Sequence, residues 1–120
     1  MTDWKQLDAE IDNAILTGKA MEAFEKLYAD DVKMQEGSGE PFVGKDVNRK
    51  RELEFFGSVE EFHGAEVKAK GYDDAKQTSL AEWVYDVTFK GGQRVKMEQV
   101  ATRHWKDGKV VFERFFYDKH

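Results

Sequence analysis

The chain has 120 residues, enough to bury one core without a metal or disulfide, and no cysteine, which excludes disulfide frameworks, thiolate nucleophiles and thiolate metal sites. Its formal net charge of -5 at pH 7 argues against nucleic acid as a partner, because binding a phosphate backbone needs a surplus of Lys and Arg on one surface. The N-terminus lacks the basic and apolar runs of a leader, and nowhere do about 18 apolar residues follow one another. The expectation is one soluble, cytoplasmic domain over residues 1–120 with no membrane partner.

In chain order, Trp4, Leu7, Ile11, Ala14 and Ile15 recur at helical spacing behind Asp3, which with Gln6 resembles a capping box, and Gly18 closes this helix. A second helix places Ala20, Phe24, Leu27 and Tyr28 on one stripe and stops at Asp30-Asp31, before a short strand from Val32 to Glu36. Gly37 to Pro41 stacks turn residues into a loop of the kind that rims a site. From Lys45 to Phe56 a third helix carries Asn48, Glu52, Phe55 and Phe56 on neighbouring faces. Its basic run Arg49-Lys50-Arg51 sits beside Glu52 and Glu54 and reads as a solvated face. Four long strands follow, Glu61 to Tyr72, Ser79 to Phe89, Arg94 to Trp105 and Lys109 to Tyr117. The order predicts an α+β fold with three N-terminal helices gathered on one face of an antiparallel sheet.

The last three strands form a meander that turns at Gly91-Gly92 and Asp107-Gly108, dipeptides that supply positive φ angles. If both turns hold two residues, Tyr85, Glu98 and Tyr117 fall in one row, Trp83, Val100 and Phe115 in the next, and Thr102 with Glu113 in the one after. That face reads as a pocket wall. Two phenols beside Glu98 would hold it as a charged acceptor, whereas pairing with Lys96 would merely satisfy its charge; the same two readings stand for Glu113. The other face then collects Val84, Val95, Met97, Phe112 and Phe116, with Gln99, Arg103 and Arg114 between them. Such an apolar cluster predicts a homodimer through the outer face of the sheet.

Leu27-Tyr28-Ala29-Asp30-Asp31-Val32, Val43-Gly44-Lys45 and Asp107-Gly108-Lys109-Val110 with Glu113 to Asp118, in this order, resemble the nuclear transport factor 2-like superfamily, and within it the SnoaL-like and ketosteroid-isomerase-like small bacterial proteins. The resemblance implies a cone-shaped, cystatin-like fold with the helices on the concave face of a curved sheet. It implies a carboxylate base at Glu36, the end of the first strand, and a pocket aromatic at Tyr117. At the two positions where the family's steroid isomerases stabilise an enolate oxygen, this chain has Ile11 and Val100. Neither donates a side-chain hydrogen bond, so that specific activity is not expected.

The expected function is therefore a pocket for a compact, largely apolar molecule bearing a carbonyl or hydroxyl. Glu36 is the candidate base for proton-transfer isomerisation, cyclisation or dehydration, with a solvated strand-end glutamate as the plain alternative. Tyr85, Glu98, Glu113 and Tyr117 would orient the ligand against Trp83, Val100 and Phe115, with Asn48 and Phe56 on the helix side. A non-catalytic binding protein of the same fold and an interaction module with a filled cone are the competing classes. His63, His104 and His120 share no metal-ligand spacing, so no metal or cofactor is assigned. His104 is expected on the pocket side, near the strand end.

Overall fold

The computed structural model describes residues 3–117. Helices α1 (Trp4–Leu16) and α2 (Ala20–Leu27) are followed by β1 (Tyr28–Glu36), β2 (Phe42–Val43), α3 (Lys45–Ser58), β3 (Val59–Asp73), β4 (Thr78–Phe89), β5 (Arg94–Lys106) and β6 (Lys109–Tyr117). Asp3 caps α1 by accepting from the Lys5 amide at 2.9 Å. The six strands lie in the order β2-β1-β6-β5-β4-β3. Helices thus precede a long sheet, as the α+β reading requires. Among the described residues no helix is long and apolar enough to cross a membrane.

Three features depart from the sequence reading. The second helix ends at Leu27, and Tyr28, Asp30 and Asp31 belong to β1 rather than to the helix and its stop. The sheet is mixed rather than antiparallel, because β1 pairs with β6 in parallel after the long excursion through α3 and the meander. A two-residue strand, β2, also pairs with β1 through Met34–Phe42 and Lys33–Val43. Its length is too short to leave an alternation signal. Asn48 secures this corner: its side-chain amide donates to the carbonyls of Val32 (3.2 Å), Phe42 (2.9 Å) and Gly44 (2.9 Å).

The main core fills the narrow end, where Ile11, Phe24, Leu27, Val32, Met34, Trp105 and Val110 pack between the first two helices and the sheet. A second cluster, Ala81, Trp83 and Ala101, shares Ile15 and Phe115 with the first.

The meander pairs differently from the expected register. Phe89 donates to the Gln93 carbonyl at 2.8 Å and Thr88 pairs with Arg94, so the first turn holds three residues, Lys90 to Gly92, rather than two. One extra residue sends every later β5 side chain to the opposite face. The second turn is the expected Asp107-Gly108, both at positive φ. A bulge between His104 and Trp105 then displaces the β6 pairing by one. In consequence Trp83, Gln99 and Tyr117 form one row, and Tyr85 pairs with Met97. Glu98 pairs with Val84, Val100 with Glu82 and Phe116, and Thr102 with Leu80 and Arg114, all on the outer face. His104, stacked on Phe112, is outside as well. Val95, Met97, Gln99 and Arg103, expected outside, turn inward with Val87, Tyr85, Trp83 and Glu113. His120 lies outside the described residues.

Candidate functional site

The concave face is built from β4, β5 and β6 on one side and α3 on the other. On α3 the turn-by-turn stripe is Asn48, Glu52, and Phe55 with Phe56. Asn48 is fully buried and its amide is consumed by three backbone carbonyls, so it shapes the site without offering a donor to a ligand. Glu52 is different. It has no hydrogen bond or ion pair among the described residues, yet it is partly buried. Burial, then the neighbouring Glu113 charge, push its carboxyl up to about 7, against the opposing pull of Arg51.

Tyr85 stands across from it on β4. Its ring stacks flat on Trp83, with centroids 5.3 Å apart and planes 8° from parallel. The Tyr85 hydroxyl has no hydrogen-bond partner among the described residues, and burial raises its pKa, with Glu113 and Glu52 adding to the rise. A neutral phenol and a carboxyl raised to about 7, both partly desolvated, thus lie within electrostatic reach of one another. Such a pair can donate to a ligand oxygen and exchange a proton.

Glu36 ends β1 at the rim. Its side chain is 47% exposed and pairs with Arg51 at 3.0 Å. Arg51 sits over Phe42, its guanidinium carbon 3.7 Å from the ring centroid. Tyr117 is close by, its hydroxyl raised by burial and by the Glu36 carboxylate.

Deeper in the cone lies an ion network that connects α1 to the sheet. Arg103 donates to Glu113 at 3.0 Å and to Asp12 at 2.7 Å, while Lys70 bridges Asp8 and Asp12. Glu113 also accepts from the Tyr28 hydroxyl at 2.7 Å, and Asp8 from Ser79 (2.8 Å) and the Trp105 indole (2.7 Å). Burial raises Glu113, with Arg103 and Tyr28 pulling the other way. For Asp8 burial acts upward too, but Arg103 and Lys70 hold it below the usual carboxylate range. Three acids thus share two bases, and Asp8 Oδ2 is met by the charges of Lys70 and Arg103 without a hydrogen bond among the described residues.

Of the residues singled out by sequence, Trp83, Tyr85, Phe115, Tyr117 and Glu113 share the concave face, with Asn48 on the helix side. Phe56 stands at the open end, 40% exposed. Glu98 and Val100 are not part of it. They line an open depression of about 290 Å³ with Glu82, Gln99, Phe116 and Tyr117. Sequence reasoning missed Glu52 as a site group, although its position one turn beyond Asn48 and before two phenylalanines was a signal. It also missed Asp8 and Asp12, whose i, i+4 spacing lies on the apolar stripe of α1. Among the described residues no three His, Asp or Glu side chains converge as a metal-binding set.

A SnoaL-like domain family model matches residues 5–117. The chain belongs to the SnoaL-like domain family. No functionally curated protein matches it. Among solved structures, a Mesorhizobium loti protein named as a SnoaL-like polyketide cyclase has 27% identity and a TM-score of 0.82, covering 97% of this chain and 100% of its own. A Bacillus subtilis protein named as an isomerase has 13% identity and a TM-score of 0.81, over 98% and 90% of the two chains. A Catenulispora acidiphila protein with a ketosteroid isomerase-like fold, in complex with trimethylamine, has 15% identity and a TM-score of 0.71, over 88% and 80%. These last two likenesses concern the fold. SnoaL-like members therefore share the scaffold, and the chemistry of this one has to be read from its own side chains.

Proposed function

We propose that this SnoaL-like protein binds a compact, largely apolar molecule bearing a carbonyl or hydroxyl and moves a proton on it, in an isomerisation, cyclisation or dehydration. The observation that carries the reading is Glu52: a carboxyl raised to about 7, without a protein partner among the described residues, near enough to the unengaged Tyr85 hydroxyl for its charge to act on that phenol. A group that titrates near the operating pH both takes and returns a proton, and a phenol donor opposite it stabilises negative charge developing on the ligand oxygen.

Glu36, the base implied by family resemblance, acquires another role in this proposal. Its pairing with Arg51 and its exposure suit a rim group that positions Arg51 and Tyr117. Phe115 supplies the apolar wall, the fully buried Trp83 backs the Tyr85 ring, and Glu113 sets the electrostatic surroundings of Glu52. The names of the cyclase and isomerase neighbours are consistent with this reaction class without choosing a substrate. The test is a comparison of Glu52→Gln with Glu36→Gln in a hydrogen–deuterium exchange or turnover assay across a panel of carbonyl compounds. Loss of exchange in Glu52→Gln alone supports the assignment; loss in Glu36→Gln alone restores the strand-end base. A binding protein without catalysis predicts saturable ligand uptake and no exchange in the wild type.

The same proposal includes a homodimer. Leu80, Val100 and Phe116 are 43%, 39% and 42% exposed on the outer face, with Val84 and Phe112 beside them, and a second copy would cover them.

A further inference from the structure

Four phenylalanines and one carboxyl occupy the open end of the cone. Phe55 and Phe56 lie three and four residues beyond Glu52, so the two rings and the carboxyl share one side of α3. The Phe89 ring, from the end of β4, meets Phe55 edge-on with centroids 6.2 Å apart. Phe62 pairs with the inward-facing Val87 and so belongs to the same concave face. Phe55, Phe56 and Phe62 each remain about two-fifths exposed. One exposed ring is ordinary, but rings from three elements on one face form an apolar rim whose exposed area a ligand group can cover.

Charge then selects among apolar occupants. On this face, among the described residues, Arg51 is committed to Glu36, Arg103 to Asp12 and Glu113, and Lys70 to Asp8 and Asp12. The charged groups acting on Glu52 are Glu113 from β6, Glu36 from β1 and Arg51 from its own helix, and its charge acts in turn on the phenols Tyr28 of β1 and Tyr85 of β4. Acids outnumber the single base. An anion meets repulsion here, and an uncharged apolar group draws nothing from Glu52. A cation is attracted both by the carboxylate and by the ring faces, and the partial desolvation of the rim strengthens both attractions.

We infer that the molecule entering the cone carries an ammonium group, seated against Phe55, Phe56 and Phe89 in the field of Glu52. This rests on the cone being the ligand pocket and names the ligand class as apolar organic amines. Binding stabilises the carboxylate form of Glu52, so it releases a proton near neutral pH and tightens as pH rises through the titration of that group.

The experiment compares choline with its uncharged isostere 3,3-dimethyl-1-butanol by NMR titration of the whole chain. At about pH 8 choline should bind about ten-fold more tightly or better, and shift the Phe55, Phe56 and Phe89 ring resonances. Glu52→Gln should remove most of that preference by weakening choline far more than the isostere. Phe55→Ala, at a half-exposed ring, should keep the fold and weaken choline. Equal affinity for the two probes, or no saturation by choline at millimolar concentration, overturns the ammonium assignment. If that happens while Glu52→Gln still abolishes proton exchange, the proton-transfer reading survives by itself. A choline preference without any exchange in the wild type establishes an amine-binding protein instead.

Discussion

Arg103 on β5 and Asp12 on α1, 91 positions apart in sequence, meet at 2.7 Å in the interior of the cone. The same guanidinium holds Glu113, so one residue ties the first helix to the last two strands. Among the described residues, replacing it leaves Asp8, Asp12 and Glu113 with Lys70 as the only base paired to this cluster. Arg103→Met should therefore cost about 3–5 kcal/mol, the range for removing one partner of a buried ion pair. Arg103→Lys should recover part of this, since it restores the charge but not the two-armed geometry. Urea denaturation of the three proteins checks the order.

Glu52 makes stability depend on pH in a defined direction. Its folded-state carboxyl is raised from 4.5 to about 7, so the folded protein favours the neutral form. The stability tied to that proton is fully present below the unfolded value and is lost as pH rises through about 7. Glu52→Gln should consequently match the wild type near pH 4 and exceed it by about 2–3 kcal/mol at pH 8. Thermal melts at the two pH values read the difference. Equal gains at both would place the effect elsewhere than in ionisation.

Asn48 acts through the backbone. Asn48→Ala removes the donors to three carbonyls at the corner formed by β1, β2 and α3. Leaving buried acceptors unmatched should destabilise the protein by about 2–3 kcal/mol. Hydrogen exchange should then speed up first at the α3 amides and around β2, before the meander responds.

The outer face gives the test of assembly. Sedimentation at micromolar concentration should show a dimer for the wild type and a monomer for Phe116→Glu, because a charge on the half-exposed Phe116 ring cannot be buried against a second copy. Met97→Glu provides the contrast. Met97 pairs with Tyr85 on the concave side, so this variant should perturb the pocket and leave dimerisation intact.

Local pattern was enough for the three helices and the long strands, though not for β2 or for the boundary between α2 and β1. The stripe of Trp4, Leu7, Ile11 and Ile15 marks α1, and the β-rich runs and glycine turns mark the meander, because side-chain periodicity follows directly from backbone geometry. The motifs around Asp30-Asp31, Val43-Gly44 and Asp107-Gly108 were sufficient for the family, which the match over residues 5–117 shows. Charge, length and the absence of cysteine bounded the chemistry.

Which faces those strands present was decided by tertiary structure. A third residue in the Lys90–Gly92 turn and a bulge at His104 each change the register by one, and with a period of two a single step exchanges inside for outside. Glu98 thereby left the cone and Arg103 entered it. The state of Glu52 was equally hidden, since its proton affinity depends on desolvation and on Glu113, which is 61 positions away in the chain. Helix and strand are selected by near neighbours in sequence, whereas register, burial and pKa arise from groups that only the folded chain brings together.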